Sequence, residues 1–191
     1  GVIIVYTSGT TGQPKGAVLT HRNVVSMCLV QKDEFHLPNG MQPKENVICC
    51  SPVNHVSGAT EWAATSMVAG CTAVLYDGFD PAALLAAMEK YRAPMMAGVP
   101  TMWAMYFAMP NFSDYDLSAV RFCMTGGAPA PKDLLAKMME VGPYCCNPMG
   151  MTETAGLSTY NDRGASIENL NLSVGKCAPE WEMKIVDANR Q

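Results

Sequence analysis

The chain has 191 residues, of which 49% are hydrophobic and 16% charged, with a formal net charge of −4. At roughly 100–200 residues per domain this is one domain's worth, and the composition excludes a disordered chain, a fibre or a solenoid. The 13 Lys and Arg are scattered against 17 Asp and Glu, which excludes a basic face for nucleic acid.

Gly1 is followed directly by the apolar run Val2–Val5, and Val2 to Thr7 predicts a strand buried on both faces. Thr20 is placed to cap a helix carrying Val24, Met27, Cys28 and Gln31 at helical spacing. Val47 to Cys50 predicts a second strand, Val56 to Met67 a helix, and Cys71 to Tyr76 a third strand. Asp80 followed by Pro81 pairs a capping carboxylate with a first-turn proline, ahead of the apolar face Leu84, Leu85 and Met88. Then come a strand at Met95–Ala97, a helix at Thr101–Ala108, a strand at Ala119–Met124 and a helix at Pro131–Val141 closed by Gly142. Tyr144–Asn147 and Glu182–Asp187 predict the last two strands. Such alternation requires crossover helices, so the fold class is α/β, a mostly parallel sheet flanked by helices.

The stretch from Ala93 to Ser113 carries no formal charge and is as long as a membrane span of about 20 residues. Pro100 and Pro110 fall inside it and Pro94 at its start; proline breaks helical hydrogen bonding, so it reads as a buried strand, a turn and a core helix, with no transmembrane segment. The 8 cysteines match neither a secreted disulfide scaffold nor paired metal ligands. Most lie in apolar runs, which predicts reduced, buried thiols in a cytoplasmic protein. The abrupt apolar start and the stop just past Met183–Val186 predict a piece of a longer polypeptide, cut at both ends.

In parallel α/β sheets ligands bind beyond the carboxyl ends of the strands. The first such loop reads Tyr6-Thr7-Ser8-Gly9-Thr10-Thr11-Gly12-Gln13-Pro14-Lys15-Gly16. Three glycines permit close backbone approach, four adjacent hydroxyls offer donors, and Lys15 supplies a positive charge, as a polyphosphate cradle requires. It is not a Walker A loop, because no Gly-Lys-Ser/Thr closes it.

On these residues the sequence resembles the adenylate-forming superfamily of acyl-CoA synthetases, peptide-synthetase adenylation domains and firefly-type luciferases. The resemblance assigns Thr7, Ser8, Gly9, Thr10, Thr11, Gly12 and Lys15 to the β- and γ-phosphates of ATP. Ser51-Pro52-Val53-Asn54-His55-Val56-Ser57-Gly58 is similar to the family segment whose histidine borders the substrate carboxylate. Thr125-Gly126-Gly127-Ala128-Pro129 resembles the turn lining the adenine and acyl sites, implicating Gly127, Ala128 and Pro129. Met149-Gly150-Met151-Thr152-Glu153 resembles the Tyr-Gly-x-Thr-Glu motif, which implies Thr152 at the α-phosphate and Glu153 on Mg²⁺.

There are departures from the family pattern. Met149 replaces the ring that stacks on adenine, and Cys177 and Glu180 stand where proline and glycine are common. The family's ribose-binding Thr-Gly-Asp segment and its lysine-bearing C-terminal domain are not in the chain, so 1–191 is expected to be a partial AMP-binding domain. The resemblance implies an acid–thiol ligase: a carboxylic acid attacks ATP to give acyl-AMP and pyrophosphate, and coenzyme A then takes the acyl group. His55, Lys15, Thr152 and Glu153 are the implied catalytic residues. No acid at Val53-Asn54-His55 awaits a substrate amine, which favours a simple carboxylic acid. A carrier-protein-loading or luciferase-type enzyme, or an inactive structural subdomain, is the alternative. Pocket walls are expected at His55–Trp62, Gly98–Thr101 and Gly126–Ala128, with Gly58, Ala59 and Gly98 leaving room for a bulky acyl group.

Overall fold

The computed structural model describes residues 1–8, 12–34 and 40–189. The chain begins with the antiparallel hairpin β1 (Ile3–Thr7) and β2 (Lys15–Leu19), in which Thr7 faces Lys15. Helix α1 (His21–Glu34) follows, and its start is locked reciprocally: Thr20 Oγ1 accepts from Asn23 N at 3.2 Å while Asn23 Oδ1 accepts from Thr20 N at 2.9 Å. Strand β3 (Asn46–Cys49) pairs in parallel with β4 (Thr72–Leu75) across a helical arm, a π-helix over Ser57–Ala64 that continues as α2 (Thr65–Ala69). Helix α3 (Pro81–Tyr91) leads into the parallel trio β5 (Met95–Gly98), β6 (Phe122–Thr125) and β7 (Tyr144–Cys146). Helices α4 (Pro100–Phe107) and α5 (Lys132–Val141) make the crossovers within it. The short pairs β8 (Gly150–Met151) with β9 (Gly156–Leu157), and β10 (Thr159–Tyr160) with β11 (Lys176–Cys177), are antiparallel; α6 (Ile167–Leu172) lies between the last two.

Both faces of the β5–β7 sheet are buried, and the side chains alternate between two cores as strand geometry demands. Met96, Cys123 and Cys145 join Leu84, Leu85 and Met88 of α3, Trp103 and Tyr106 of α4, and Leu135 and Met138 of α5. Met95, Phe122, Met124 and Cys146 face the other way, onto Val30 of α1, Trp62 of the π-helix and Ala69 of α2. The indole of Trp103 donates to Met124 O at 2.9 Å, which fixes α4 on the sheet. Helices therefore cover both faces, and the α/β class holds.

Three expectations are corrected. Of Val2–Thr7, Val5 is buried, but Ile4 and Tyr6 are 58% and 70% exposed, because β1 pairs with β2 and packs one face on α1 rather than entering the parallel sheet. Lys15–Leu19, given no strand in the sequence reading, is the partner that makes this hairpin. Glu182–Asp187 forms no strand, and Ile185 is fully exposed; an apolar run without a strand to pair with gains nothing by extending. The uncharged Ala93–Ser113 stretch resolves into β5 and α4, and no helix among the described residues is long and apolar enough to cross a membrane. All eight cysteines are free, with Cys177 the exposed one.

Candidate active site

A cavity of about 410 Å³ opens beyond the carboxyl ends of β3, β5 and β6, where the strand-end rule directs attention. Ile48, Cys50 and Ser51 come from β3 and its exit, Ala97, Gly98 and Val99 from that of β5, and Met124, Gly126 and Gly127 from that of β6. The helical arm and the turn before it contribute His55, Val56, Ser57, Glu61 and Trp62, and Met102, Pro148, Gly150, Met151, Thr152 and Leu157 complete the wall.

The arm is placed by a tight turn. His55 N donates to Pro52 O at 3.0 Å, and a Cβ on Gly58 would sit 2.2 Å from Pro52 O. Glycine at 58 is thus a packing requirement, and neither Gly58 nor Ala59 lines the cavity, which corrects the expectation that they leave room for substrate. His55 Nδ1 accepts from Ser57 N at 3.1 Å. In a neutral imidazole this puts the proton on Nε2, a donor at the cavity wall.

Thr152–Thr154 form a single 3₁₀ turn. Thr154 Oγ1 accepts from Met151 N at 3.0 Å and lies 2.7 Å from Gly156 O, which rigidifies the turn. β2, which begins at Lys15, packs against this turn, so the hairpin lies beside Thr152 at the cavity wall. Glu153 is exposed and forms no ion pair among the described residues. A free carboxylate there is an oxygen donor of the kind Mg²⁺ takes.

Among the implied residues, His55, Gly127, Gly150, Met151 and Thr152 meet around one cavity. Thr7, Ser8, Gly12 and Lys15 stand at the hairpin end, outside the lining, and Gly9, Thr10 and Thr11 lie outside the described residues. Ala128, Pro129 and Met149 are exposed and do not line it. The backbone of Met149 is instead pinned to the β9–β10 segment, its N donating to Thr159 Oγ1 at 2.9 Å and its O accepting from Ser158 N at 2.8 Å.

Glu61 falls within the expected wall His55–Trp62, where no individual role was assigned to it. Glu61 is 7% exposed and lines the cavity, and burial pushes its carboxyl up to about 7, against the lowering effect of the Ser57 hydroxyl. The available signal was isolation: Glu61 is the one Asp, Glu, Lys or Arg between Glu45 and Asp77.

The geometry agrees with comparison to known proteins. The family described as AMP-binding enzyme matches residues 2–191, and the chain belongs to it. A feruloyl-CoA synthase of Amycolatopsis sp is 36% identical over 168 residues, 88% of this chain and 33% of that protein. The mitochondrial medium-chain acyl-CoA ligase ACSF2 of Mus musculus is 30% identical over 192 residues, 96% of this chain and 30% of that protein. The chain therefore spans about a third of the length of these curated relatives. Among solved structures, the o-succinylbenzoate CoA synthetase of Bacillus subtilis bound to its acyl-adenylate superposes with a TM-score of 0.82 at 28% identity, over 98% of this chain and 37% of that one.

Proposed function

We propose that this chain is the ATP- and acid-binding part of an AMP-forming acid–CoA ligase. The observation that carries the reading is a cavity at the strand ends, where His55 and Thr152 converge with the β1–β2 hairpin packed against the Thr152 turn. The relatives named above are CoA ligases or synthases, one acting on an aromatic acid and one on medium-chain acids, and the Bacillus subtilis enzyme has also been solved with ATP and magnesium ion.

The first step joins two anions, so shielding and alignment are what the protein can supply. Nε2–H of His55 orients a carboxylate oxygen of the acid. Lys15, the Thr7 and Ser8 hydroxyls and the backbone of the glycine loop hold the β- and γ-phosphates, and the Thr152 hydroxyl donates at the α-phosphate. The acid's oxygen attacks the α-phosphorus, pyrophosphate leaves, and a CoA thiol later displaces AMP. Mg²⁺ held by Glu153 would neutralise phosphate charge. The complete reaction belongs to the longer polypeptide, and chain 1–191 alone has little or no ligase activity. Its free, mostly buried thiols fit a reducing cytoplasm.

The test is carboxylate-dependent ATP–pyrophosphate exchange by the full-length polypeptide with a panel of fatty, aromatic and amino acids. Exchange is expected with at least one non-amino acid, and H55A should reduce it by about 10²-fold, the scale of one lost transition-state donor. No exchange with any acid defeats the ligase reading. An adenylate that CoA cannot discharge moves the assignment to a carrier-protein-loading or luciferase-type enzyme.

A further inference from the structure

Glu61 has no part in the mechanism above. Yet it stands in the lining of a cavity whose wall also carries the apolar side chains of Ile48, Val56, Trp62, Val99, Met124 and Leu157. Its backbone is tied to α1 and its side chain is given space. Gln31 Nε2 donates to the Glu61 carbonyl at 2.6 Å, which ties this turn of the π-helix to α1. Gly156, with φ +140°, leaves the space: a Cβ on it would lie 2.9 Å from Glu61 Cγ and 3.2 Å from Oε1. Among the described residues no cation pairs with the carboxylate. Ser57, four positions back on the same helical face, is its hydrogen-bonding neighbour and lies 3.3 Å from Ser51 by the two Oγ atoms.

A carboxyl carries about four acceptor sites, and a buried one is costly unless they are filled. An apolar residue would fill this wall at no such cost. A polar seam of Ser51, Ser57 and Glu61 thus runs along one side of the cavity from the His55 end. π-Helical turns of this kind recur at functional sites.

We propose that Glu61 selects the acid substrate, accepting a hydrogen bond from a hydroxyl or amino group carried on the acid's body away from its carboxylate. This rests on the ligase reading, with His55 at the carboxylate end. An acid lacking the donor leaves the buried Glu61 carboxyl unmatched, and sites built for a polar partner reject such analogues strongly.

The test compares kcat/KM for exchange by the full-length polypeptide. The substrates are benzoic and 3-phenylpropanoic acids, each with its para-hydroxy and para-aminomethyl counterpart. At least one donor-bearing counterpart should be preferred by about ten- to a hundred-fold. E61L should bring the ratio to one or below by improving use of the parent acid. E61Q, which accepts a hydrogen bond without charge, should keep a hydroxyl preference and lose an aminomethyl one. A structural role for Glu61 would depress all substrates together and leave the ratios unmoved. Wild-type ratios near one for both donor groups overturn the assignment, as do unchanged ratios in E61L; if E61L does not fold, the wild-type ratios decide. Absence of exchange with every acid instead overturns the ligase reading, and this assignment falls with it.

Discussion

Glu61 ties the stability of the fold to pH. Burial raises its carboxyl from 4.5 to about 7, so between those values the folded chain binds more proton than the unfolded one. Stability is therefore full below about 4.5, falls as pH rises through 7, and stays lower above it. The loss is about 3 kcal/mol at 1.36 kcal/mol per unit. Two neighbouring ionisable groups whose ionisation Glu61 opposes do not blur this window: burial pushes Cys49 up to about 11 and Tyr160 well above its ordinary value. Denaturant midpoints at pH 5 and pH 8 should differ in wild type, and E61Q should remove most of that slope. An equal slope in E61Q would show that other groups carry it. Glu61 was legible as an isolated acid within the expected wall His55–Trp62, but its burial there depends on the strand ends that meet its helix. His55 was legible by its place after a strand; its tautomer was not, since that rests on the Ser57 amide.

The elements recognised correctly are those whose ends carry their own chemistry. Asp80 Oδ1 accepts from Ala82 N and Ala83 N at 2.9 and 3.1 Å with Pro81 in the first turn, so α3 starts where local rules put it. D80A should cost about 1 kcal/mol, read as a lower thermal midpoint with unchanged far-UV circular dichroism at low temperature. Gly142 likewise ends α5. The misread elements lack such self-sufficiency. β1 looks like a buried strand because Val2–Val5 are all apolar, but half of that surface stays exposed on a two-stranded hairpin. Met183–Val186 has the same apolar character with no strand paired to it. Apolar runs state that a segment prefers burial; the partner decides whether burial happens.

Across the whole molecule, the two cores on either side of β5–β7 account for the cysteine pattern. Cys123 and Cys145 face one core and Cys49 and Cys146 the other, while Cys28 on α1 joins a third cluster with Val5 and Leu19 of the hairpin, its thiol donating to Thr60 O. Cys177 on β11 is exposed. A thiol reagent applied to the native protein should modify Cys177 fastest, with the five fully buried thiols reacting only on unfolding. Peptide mass mapping reads this out, and C177S should abolish the fast phase. Rapid modification of Cys123 would contradict the packing.

From sequence alone, the α/β class and the order of most elements could be written down, while the resemblance to a family implied a phosphate loop and a set of site residues. The class and the elements depend on short-range regularities: strand and helix periodicity, caps and glycine turns. Tertiary structure alone decided that β1 belongs to a hairpin, that this hairpin lies beside the Thr152 turn, that Gly58 serves backbone contact, and that Glu61 is buried in the cavity wall. Each of these depends on contacts between segments far apart in the chain, such as Gln31 with Glu61 at 2.6 Å or Thr60 with Ala155 at 2.6 Å. Their energies come from three-dimensional packing, and no local pattern encodes them.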